Sequence, residues 1–461
     1  MKDDNFTMLA SFLLGVLQLF TLFGFDLIAF IVESIAHSVH SRCPDCLIEF
    51  AGYYGQSVLY FVYTFSNLIA PCILHLLGIK KTFVAASVCF AIYCASFFHL
   101  RNYLYFPASI LAGLGFALFY CGGGAYAAKH STDRTFSRNQ SITWMLASSS
   151  MVVCGIFMIF SAETVKGLGM EMESQSNITS SASYREYSDF EIRILAIGTL
   201  AVSVMGIILA CLLPRREIKG SLFEKTEPVT SFRKQLGMVG WALKQKGMLK
   251  MVPFFLFTGF FTSFWLTIYP TTMTFTDSFA EYSNLVAYIC MSLTAGELII
   301  GFVISFMNKR IKDFGLAPCM GIACVVYAFT SFLILLYVPP ESNLHPTKEI
   351  SYMEPSFSMA IFIGVLCGVV DGAMHNVRMT AAAKAVPTQP AIAFCLTKFY
   401  QALSSTAFYY LSSMLNVYKL VSLMTVNLLI GLLLFMSFLK DLRRVYTVES
   451  IPEKTKTPCQ P

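Results

Sequence analysis

The stretch that decides the fold is PRREIKGSLFEKTEPVTSFRKQLGMVGWALKQKGMLK, residues 214–250, a basic segment between two long apolar regions. It contains nine Lys and Arg residues against three Glu residues. Anionic lipids of the inner leaflet attract a segment of this kind, and cytoplasmic loops carry an excess of basic residues. We therefore interpret the segment as a cytoplasmic connection that divides the chain into two halves.

The composition places both halves in a membrane. Of the 461 residues, 56% are hydrophobic and only 13% are charged, and the mean hydropathy is +0.63. Ordinary soluble domains carry about 25% charged residues, so the composition excludes a soluble globular protein and makes the lipid bilayer the first partner. The net charge of +6 calls for no nucleic-acid partner, because the basic residues serve the membrane topology.

Apolar windows long enough to cross the hydrocarbon layer, which takes about 20 helical residues, recur along the chain. We predict an all-α membrane protein with twelve transmembrane helices, six on each side of the basic segment, the first of them an uncleaved helix. The predicted spans are 9–32, 53–76, 82–100, 105–127, 140–162, 191–213, 251–275, 284–307, 315–338, 357–378, 391–414 and 419–439.

The distribution of Lys and Arg places both termini in the cytoplasm, in either the plasma membrane or an endomembrane. Asn177-Ile178-Thr179 then lies in an outside loop and is predicted to be glycosylated. The sequons at Asn5 and Asn139 lie on the cytoplasmic side, so they should remain unmodified.

Cys43 and Cys46 lie in the first outside loop, where a local disulfide can form. A redox catalyst would need a thioredoxin-like βαβ context, which the sequence lacks. Zinc would need two further ligands nearby, and none is evident. We expect no metal and no cofactor.

The two halves repeat a structural device. Gly78-Ile79-Lys80-Lys81 forms a tight basic turn between spans two and three, and residues 308–312 form one between spans eight and nine. Parallel six-helix repeats joined by a long cytoplasmic linker are the organisation of major facilitator proteins. We predict a six-helix bundle at 1–213, a linker at 214–250, a second bundle at 251–439 and a cytoplasmic tail at 440–461.

Four groups of residues resemble a known family more specifically. They are Gly52-Tyr53 with Leu59-Tyr60 and residues 66–71; Ser137-Arg138-Asn139 followed by Trp144; Gly368, Asp371 and Asn376; and Ala393-Phe394 with Lys398-Phe399 and Gln401. In this order they are similar to the motifs of the uncoordinated-93-like ion-channel regulatory family, an atypical group with the major facilitator fold. The resemblance implies an accessory protein that acts on an ion channel, such as a potassium channel.

Polar side chains within the apolar spans are candidates for a functional site, because each is costly in lipid. Asp371, His375 and Arg378 are spaced i, i+4 and i+7, so they project from one helix face. Lys398 should come to a similar depth as Asp371 on the next helix, with Gln401 nearby. One interpretation is an ion pair between Asp371 and Lys398 that fixes packing.

A second interpretation is a proton or cation relay that uses Asp371 and Glu297. Glu297 follows Ala295-Gly296, where a neighbouring helix can approach closely, so a packed glutamate is an equal alternative. Asp26 either faces a water-filled vestibule or extends its carboxylate to the outer interface, and the second option is slightly favoured.

No catalytic motif is present, so an enzyme is not expected. The favoured function is regulation of an ion channel or another membrane protein by association. The alternatives are a secondary transporter of a small solute, with or without proton coupling, and a chaperone that escorts receptors from the endoplasmic reticulum. The fold cannot decide between them.

Overall fold

The computed structural model describes residues 3–132, 135–167, 184–221, 232–308, 310–311, 313–386 and 390–449. Ten helices in these ranges are long and apolar enough to cross a membrane. One of them, Ala51–His99, has 49 residues and contains two predicted spans. Helix Pro390–Ser412 corresponds to a further predicted span that is not among the ten. The all-α class predicted from the sequence is therefore confirmed.

The described residues of the first half form six membrane crossings. Its helices are α1 Asp3–Arg42, α2 Ala51–Ser96, α3 Asn102–Lys129, α4 Phe136–Ser148, α5 Ser150–Gly167 and α6 Asp189–Leu212. Helices α4 and α5 together form one crossing, interrupted at Ser149. Helix α1 extends beyond both ends of the predicted span 9–32 and has 40 residues.

Helix α2 contains two crossings because its path reverses at Gly78. This residue has φ 73 and ψ 160, in a region that is readily available only to glycine. Gln56 donates to the hydroxyl of Tyr93 at 3.3 Å, so the two segments on either side of Gly78 run antiparallel. The basic turn predicted at this position is the reversal point.

The second half repeats the six crossings. Its helices are α8 Lys246–Ser263, α9 Tyr269–Thr274, α10 Leu285–Met307, α11 Ala317–Tyr337, α12 Phe357–Ala385, α13 Pro390–Ser412 and α14 Val417–Glu449. A π-helical turn, Phe264–Ile268, joins α8 to α9, and the backbone N–H of Tyr269 donates to the carbonyl oxygen of Phe264 across it. Helix α14 continues ten residues past the predicted span, into the segment predicted as a tail.

The basic segment between the halves contains a helix of its own, α7 Phe232–Leu243. The side chains of Arg233 and Lys234 on this helix are exposed. This helix was not predicted from the sequence, where residues 214–250 were interpreted as a connection. The proposed domain boundaries remain predictions.

Helices α10 and α12 pack with their backbones in close contact. A Cβ atom at Gly296 would overlap the carbonyl oxygen of Val365, and one at Gly368 would overlap the carbonyl oxygen of Leu293. Small residues allow this approach in membrane helices, where packing and polar contacts replace the hydrophobic effect between helices. The contact brings Glu297, which follows Gly296, close to Asp371, which precedes Gly372, because a Cβ atom at Gly372 would lie 3.5 Å from the Cα atom of Glu297.

The halves meet firmly on the side of the membrane opposite to the chain termini. Tyr53 donates to the carbonyl oxygen of Asn343 at 2.9 Å, and Ser57 donates to that of Thr406 at 2.9 Å. Lys166 donates to Ser283 at 2.8 Å on the same side. Each contact joins a first-half residue to a second-half residue.

On the side of the termini, the ion pairs of the described residues stay within one half or its adjoining segment. Arg138 pairs with Asp4 at 2.9 Å, and Arg216 pairs with Asp3 at 2.7 Å, which anchors the start of α1. In the second half, Lys250 pairs with Asp441 at 2.5 Å. Ion pairs on the opposite side also stay within one half, so the asymmetry lies in the hydrogen bonds between the halves, most of which, among the described residues, are on the side opposite to the termini.

Candidate functional site: a central cavity between the halves

A cavity lies between the two halves. The cavity has a volume of about 160 Å³, which is room for on the order of ten waters at about 10–15 Å³ each. Both halves line it. The residues that the first half contributes are Gln18, Leu22, Phe25, Asp26, Tyr60, Tyr63, Phe116, Tyr120, Trp144, Ala147, Ser148, Ser150 and Met151.

The second half contributes a more strongly charged wall. It consists of Thr258, Phe261, Thr262, Trp265, Leu266, Glu297, Asp371, Met374, His375, Arg378, Lys398 and Gln401. All seven polar residues selected from the sequence therefore line one cavity: Asp26, Glu297, Asp371, His375, Arg378, Lys398 and Gln401. They come from α1, α10, α12 and α13, so only the tertiary fold brings them together.

Asp371 is held by partners other than the one predicted for it. Its carboxylate accepts a hydrogen bond of 2.9 Å from the indole N–H of Trp265, and the hydroxyl of Thr262 lies within hydrogen-bonding reach. Although Lys398 is near, no ion pair joins Lys398 to Asp371 among the ion pairs of the described residues. The predicted packing pair is absent from this structure.

Arg378 lies at the centre of a polar network on α12 and α13. Its Nη1 donates to the side-chain oxygen Oε1 of Gln401, and its Nη2 donates to Nδ1 of His375 at 2.9 Å. The amide nitrogen of Gln401 donates to Thr262 at 3.2 Å. Through Thr262, the network extends to Asp371. The charges of Arg378 and Asp371 are thus connected through neutral groups.

Two carboxyl groups from different halves meet at the interruption between α4 and α5. Ser150 donates to Asp26 at 2.9 Å, and Ser148 lies within hydrogen-bonding reach of Glu297. Asp26 therefore faces the cavity rather than the outer interface, which corrects the interpretation slightly favoured from the sequence. The hydroxyl groups of Ser148 and Ser150, on either side of Ser149, thus contact one carboxyl group from each half.

Aromatic rings form much of the remaining wall. The ring of Trp144 stacks on that of His375 with centroids 4.2 Å apart, and Nζ of Lys398 lies 5.0 Å from the centroid of the Tyr120 ring. Both contacts join residues of opposite halves. These contacts of Trp144, Tyr120 and Trp265 were not predicted from the sequence.

A further acid, Glu33, was also missed because it follows the predicted first span directly. Its side chain is 1% exposed, and its carboxylate accepts from the backbone N–H of Tyr53 at 2.9 Å. The carboxylate caps the start of α2, where backbone N–H groups lack helical partners and favour a negative charge. A Cβ atom at Gly52 would overlap Glu33, so a glycine is required there.

The other predicted sites have different outcomes. The sulfur atoms of Cys43 and Cys46 lie 2.12 Å apart in the structure, while the disulfide in the native protein stays a prediction. Asn177 lies outside the described residues. Asn139 is buried at 2% exposure and donates to Ser131. Within the described ranges, no group of three His, Cys, Asp or Glu residues is arranged to hold a metal ion.

Comparison with solved structures defines the fold. The chain superposes on a transporter of the POT family in complex with 5-aminolevulinic acid with a TM-score of 0.62 and 10% identity, covering 94% of this chain and 95% of that one. For the Escherichia coli fucose:proton symporter, the TM-score is 0.59 at 11% identity, with 94% and 99% covered. The chain is therefore a polytopic membrane protein with the major facilitator fold, as predicted.

Comparison of the sequence then defines the family. Residues 44–436 match the family described as "Ion channel regulatory protein UNC-93", so the chain belongs to the UNC-93 family. It is similar to the UNC93-like protein MFSD11 of Xenopus laevis, with 22% identity over 427 residues that cover 88% of this chain and 90% of the relative. The Xenopus tropicalis protein of the same name is 23% identical, with the same shares covered. The family resemblance stated from the motifs is confirmed.

Proposed function

We propose that the chain is a carrier that binds a small polar solute in the central cavity and moves it by alternating access. The observation that carries this proposal is that one cavity contains charged and polar groups from both halves. A transporter of this fold places its solute site between the halves, near the middle of the membrane. The proposal assigns no catalytic reaction to the chain.

The unequal contacts between the halves support a conformation in which the cavity opens toward the termini. The hydrogen bonds of Tyr53 and Ser57 to second-half carbonyl groups close the opposite side. A rocking motion would have to break these contacts while it closes the terminal side. With cytoplasmic termini, the present conformation is inward-facing.

Coupling of transport to protons, which the sequence left open, would use the three carboxyl groups Asp26, Glu297 and Asp371. They line the same cavity, and the charges of Asp26 and Asp371 act on Glu297. Several carboxyl groups close together cannot all ionise without repulsion, so one proton can be shared among them.

A reversible cross-link between the halves tests the carrier proposal. Ser57 contacts the backbone of Thr406 across the interface, so Ser57→Cys with Thr406→Cys can be joined by a short thiol-specific linker that a reductant cleaves. The full-length protein is reconstituted in vesicles loaded with a small-metabolite extract, and solute release is followed by mass spectrometry. We expect release by the intact chain, loss of release after cross-linking, and recovery after cleavage.

The matched controls are the two single cysteine variants treated with the same linker, which should release solutes normally. Asp371→Asn and Glu297→Gln should each reduce release if these acids are part of the transport cycle. Absence of release by the intact chain, or release that continues when the halves are cross-linked, would contradict the carrier proposal.

A second candidate is the accessory function implied by the family description, in which the chain associates with an ion channel, such as a potassium channel, and alters its activity. Large apolar side chains on the outer faces of the helices, such as Phe302, Val325 and Leu433, are exposed and face lipid or a partner helix. Affinity capture from native membranes, followed by current recordings of the captured channel with and without this chain, tests this candidate.

A receptor-escort function makes a different prediction, namely that a receptor stays in the endoplasmic reticulum when this chain is removed.

We also propose that the chain resides in the plasma membrane or an endomembrane, that both termini are cytoplasmic, and that Asn177 carries a sugar. The multi-span architecture itself follows from the fold.

A further inference from the structure

Arg378 has a hydrogen-bond donor, its Nε–H group, without an acceptor among the described residues. Its side chain is buried at 3% exposure. Its two terminal nitrogens donate to Gln401 and His375, but its Nε has no partner among the described residues. A guanidinium has five N–H donors in a planar fork, and this one lines the cavity with part of the fork unoccupied.

No carboxylate forms a direct hydrogen bond or ion pair with Arg378 among the contacts of the described residues. Arginine only donates, so Nδ1 of His375 must accept, and the histidine carries its proton on Nε2 as a neutral ring. Gln401 is neutral as well. The nearby carboxylate of Asp371 is occupied by Trp265 instead. The guanidinium therefore contacts neutral acceptors directly, while the charge of Asp371 acts on it from further away, so an anion in the cavity would add the direct charged partner that it lacks.

Lys398 is a second cation on the same wall. Its ammonium group faces the Tyr120 ring at 5.0 Å, and it has no hydrogen bond or ion pair among the contacts of the described residues. A ring face attracts a cation but satisfies none of its three N–H donors as a carboxylate would. Arg378 and Lys398 come from consecutive helices, α12 and α13, and both line the cavity.

We propose that Arg378 and Lys398 bind the carboxylate of a small organic anion, with the fork of Arg378 as the orienting contact. This inference rests on the carrier proposal and names the class of its solute. Carboxylates match the guanidinium fork in two parallel hydrogen bonds. A small solute of roughly ten non-hydrogen atoms fits the room that on the order of ten waters would take. The aromatic wall of Tyr120 and Trp144 contacts its apolar part.

Three probes of similar size and different charge test the inference: benzoate, benzamide and benzylamine. The purified full-length chain is heated in detergent with increasing concentrations of each probe, and the unfolding temperature is recorded. A ligand that binds only the folded protein raises this temperature as its concentration increases. We expect benzoate to raise it, and benzamide and benzylamine to leave it unchanged.

Charge-removing variants locate the effect. Arg378→Gln and Lys398→Gln should each weaken apparent benzoate affinity by about tenfold or more, since each removes a charged hydrogen-bond donor. Arg378→Lys keeps the charge but loses the fork, so it should weaken binding to an intermediate extent. Arg215→Gln and Lys419→Gln make the same charge changes at exposed positions away from the cavity and should bind benzoate normally.

The outcomes separate this inference from the carrier proposal. Stabilisation by benzamide or benzylamine in place of benzoate would overturn the carboxylate assignment and leave a solute site of another class. The residue assignment would be overturned if benzoate still stabilised Lys398→Gln and also stabilised an Arg378 variant, either Arg378→Gln or Arg378→Lys, that is shown to be folded. No stabilisation by any probe would also overturn the carboxylate class, while the cross-linking experiment decides independently whether the chain carries solutes.

Discussion

The close contact between α10 and α12 predicts a large effect from a single methyl group. In Gly368→Ala, the new Cβ would overlap the carbonyl oxygen of Leu293 and lie 3.0 Å from the backbone nitrogen of Glu297. Both obstacles are backbone atoms, so no side-chain rotation relieves the overlap and the helices must separate. Overpacking of this kind costs about 1–3 kcal/mol, and the better helix propensity of Ala offsets about 1 kcal/mol of it.

Because the overlap is with backbone atoms, we take the upper part of the overpacking range, and the free energy of unfolding should fall by a net amount of about 1–2 kcal/mol. A loss of this size lowers the unfolding temperature by a few degrees. Gly301→Ala on α10 is the matched control, because nothing lies within 4 Å of a Cβ atom there. That variant should be neutral or more stable by up to about 1 kcal/mol. Unfolding of the detergent-solubilised chain measures both variants. Equal unfolding temperatures for the two would refute the close-packing argument.

Three other predictions use separate parts of the chain. Glycosidase treatment should increase the gel mobility of the wild type and of Asn139→Gln, but not that of Asn177→Gln. Sugar at Asn139 would contradict the predicted topology, because it would place Asn139 on the outside. Glu33→Ala should destabilise the fold by about 1–3 kcal/mol, because it leaves the buried N–H of Tyr53 without its partner, and unchanged thermal unfolding would disprove that capping role. Arg42→Ala removes ion pairs whose members are partly exposed, so it should cost at most about 1 kcal/mol in the same assay.

The architecture could be predicted because membranes impose strong rules on sequence. Long apolar windows identify crossings, and basic residues mark the cytoplasmic connections. The turn at Gly78 was visible as a glycine followed by basic residues, and the structure gives this glycine a positive φ. The helix α7 was not predicted, since its segment was read for charge and not for helical periodicity.

The candidate site could be predicted in its members but not in its pairings. Charged residues in apolar spans are few, so Asp371, Lys398 and Asp26 were identifiable one by one. Their partners depend on how each helix is rotated and on which residues of the other half face them. Trp265 and Tyr120 occupy the positions beside Asp371 and Lys398, and nothing in the spacing along one helix encodes such contacts.

The π-helical turn at Phe264–Ile268 inserts one extra residue into the seventh crossing. Side chains before and after it are consequently offset by about 100° from the register of an uninterrupted α-helix. This offset lets one crossing direct Thr262 and Trp265 at the cavity while Tyr269 donates to the carbonyl oxygen of Ala360 at 2.7 Å. Removing a single residue from the turn would restore ordinary α-helical winding and would rotate all side chains on one side of the turn, relative to those on the other side, by about 100°.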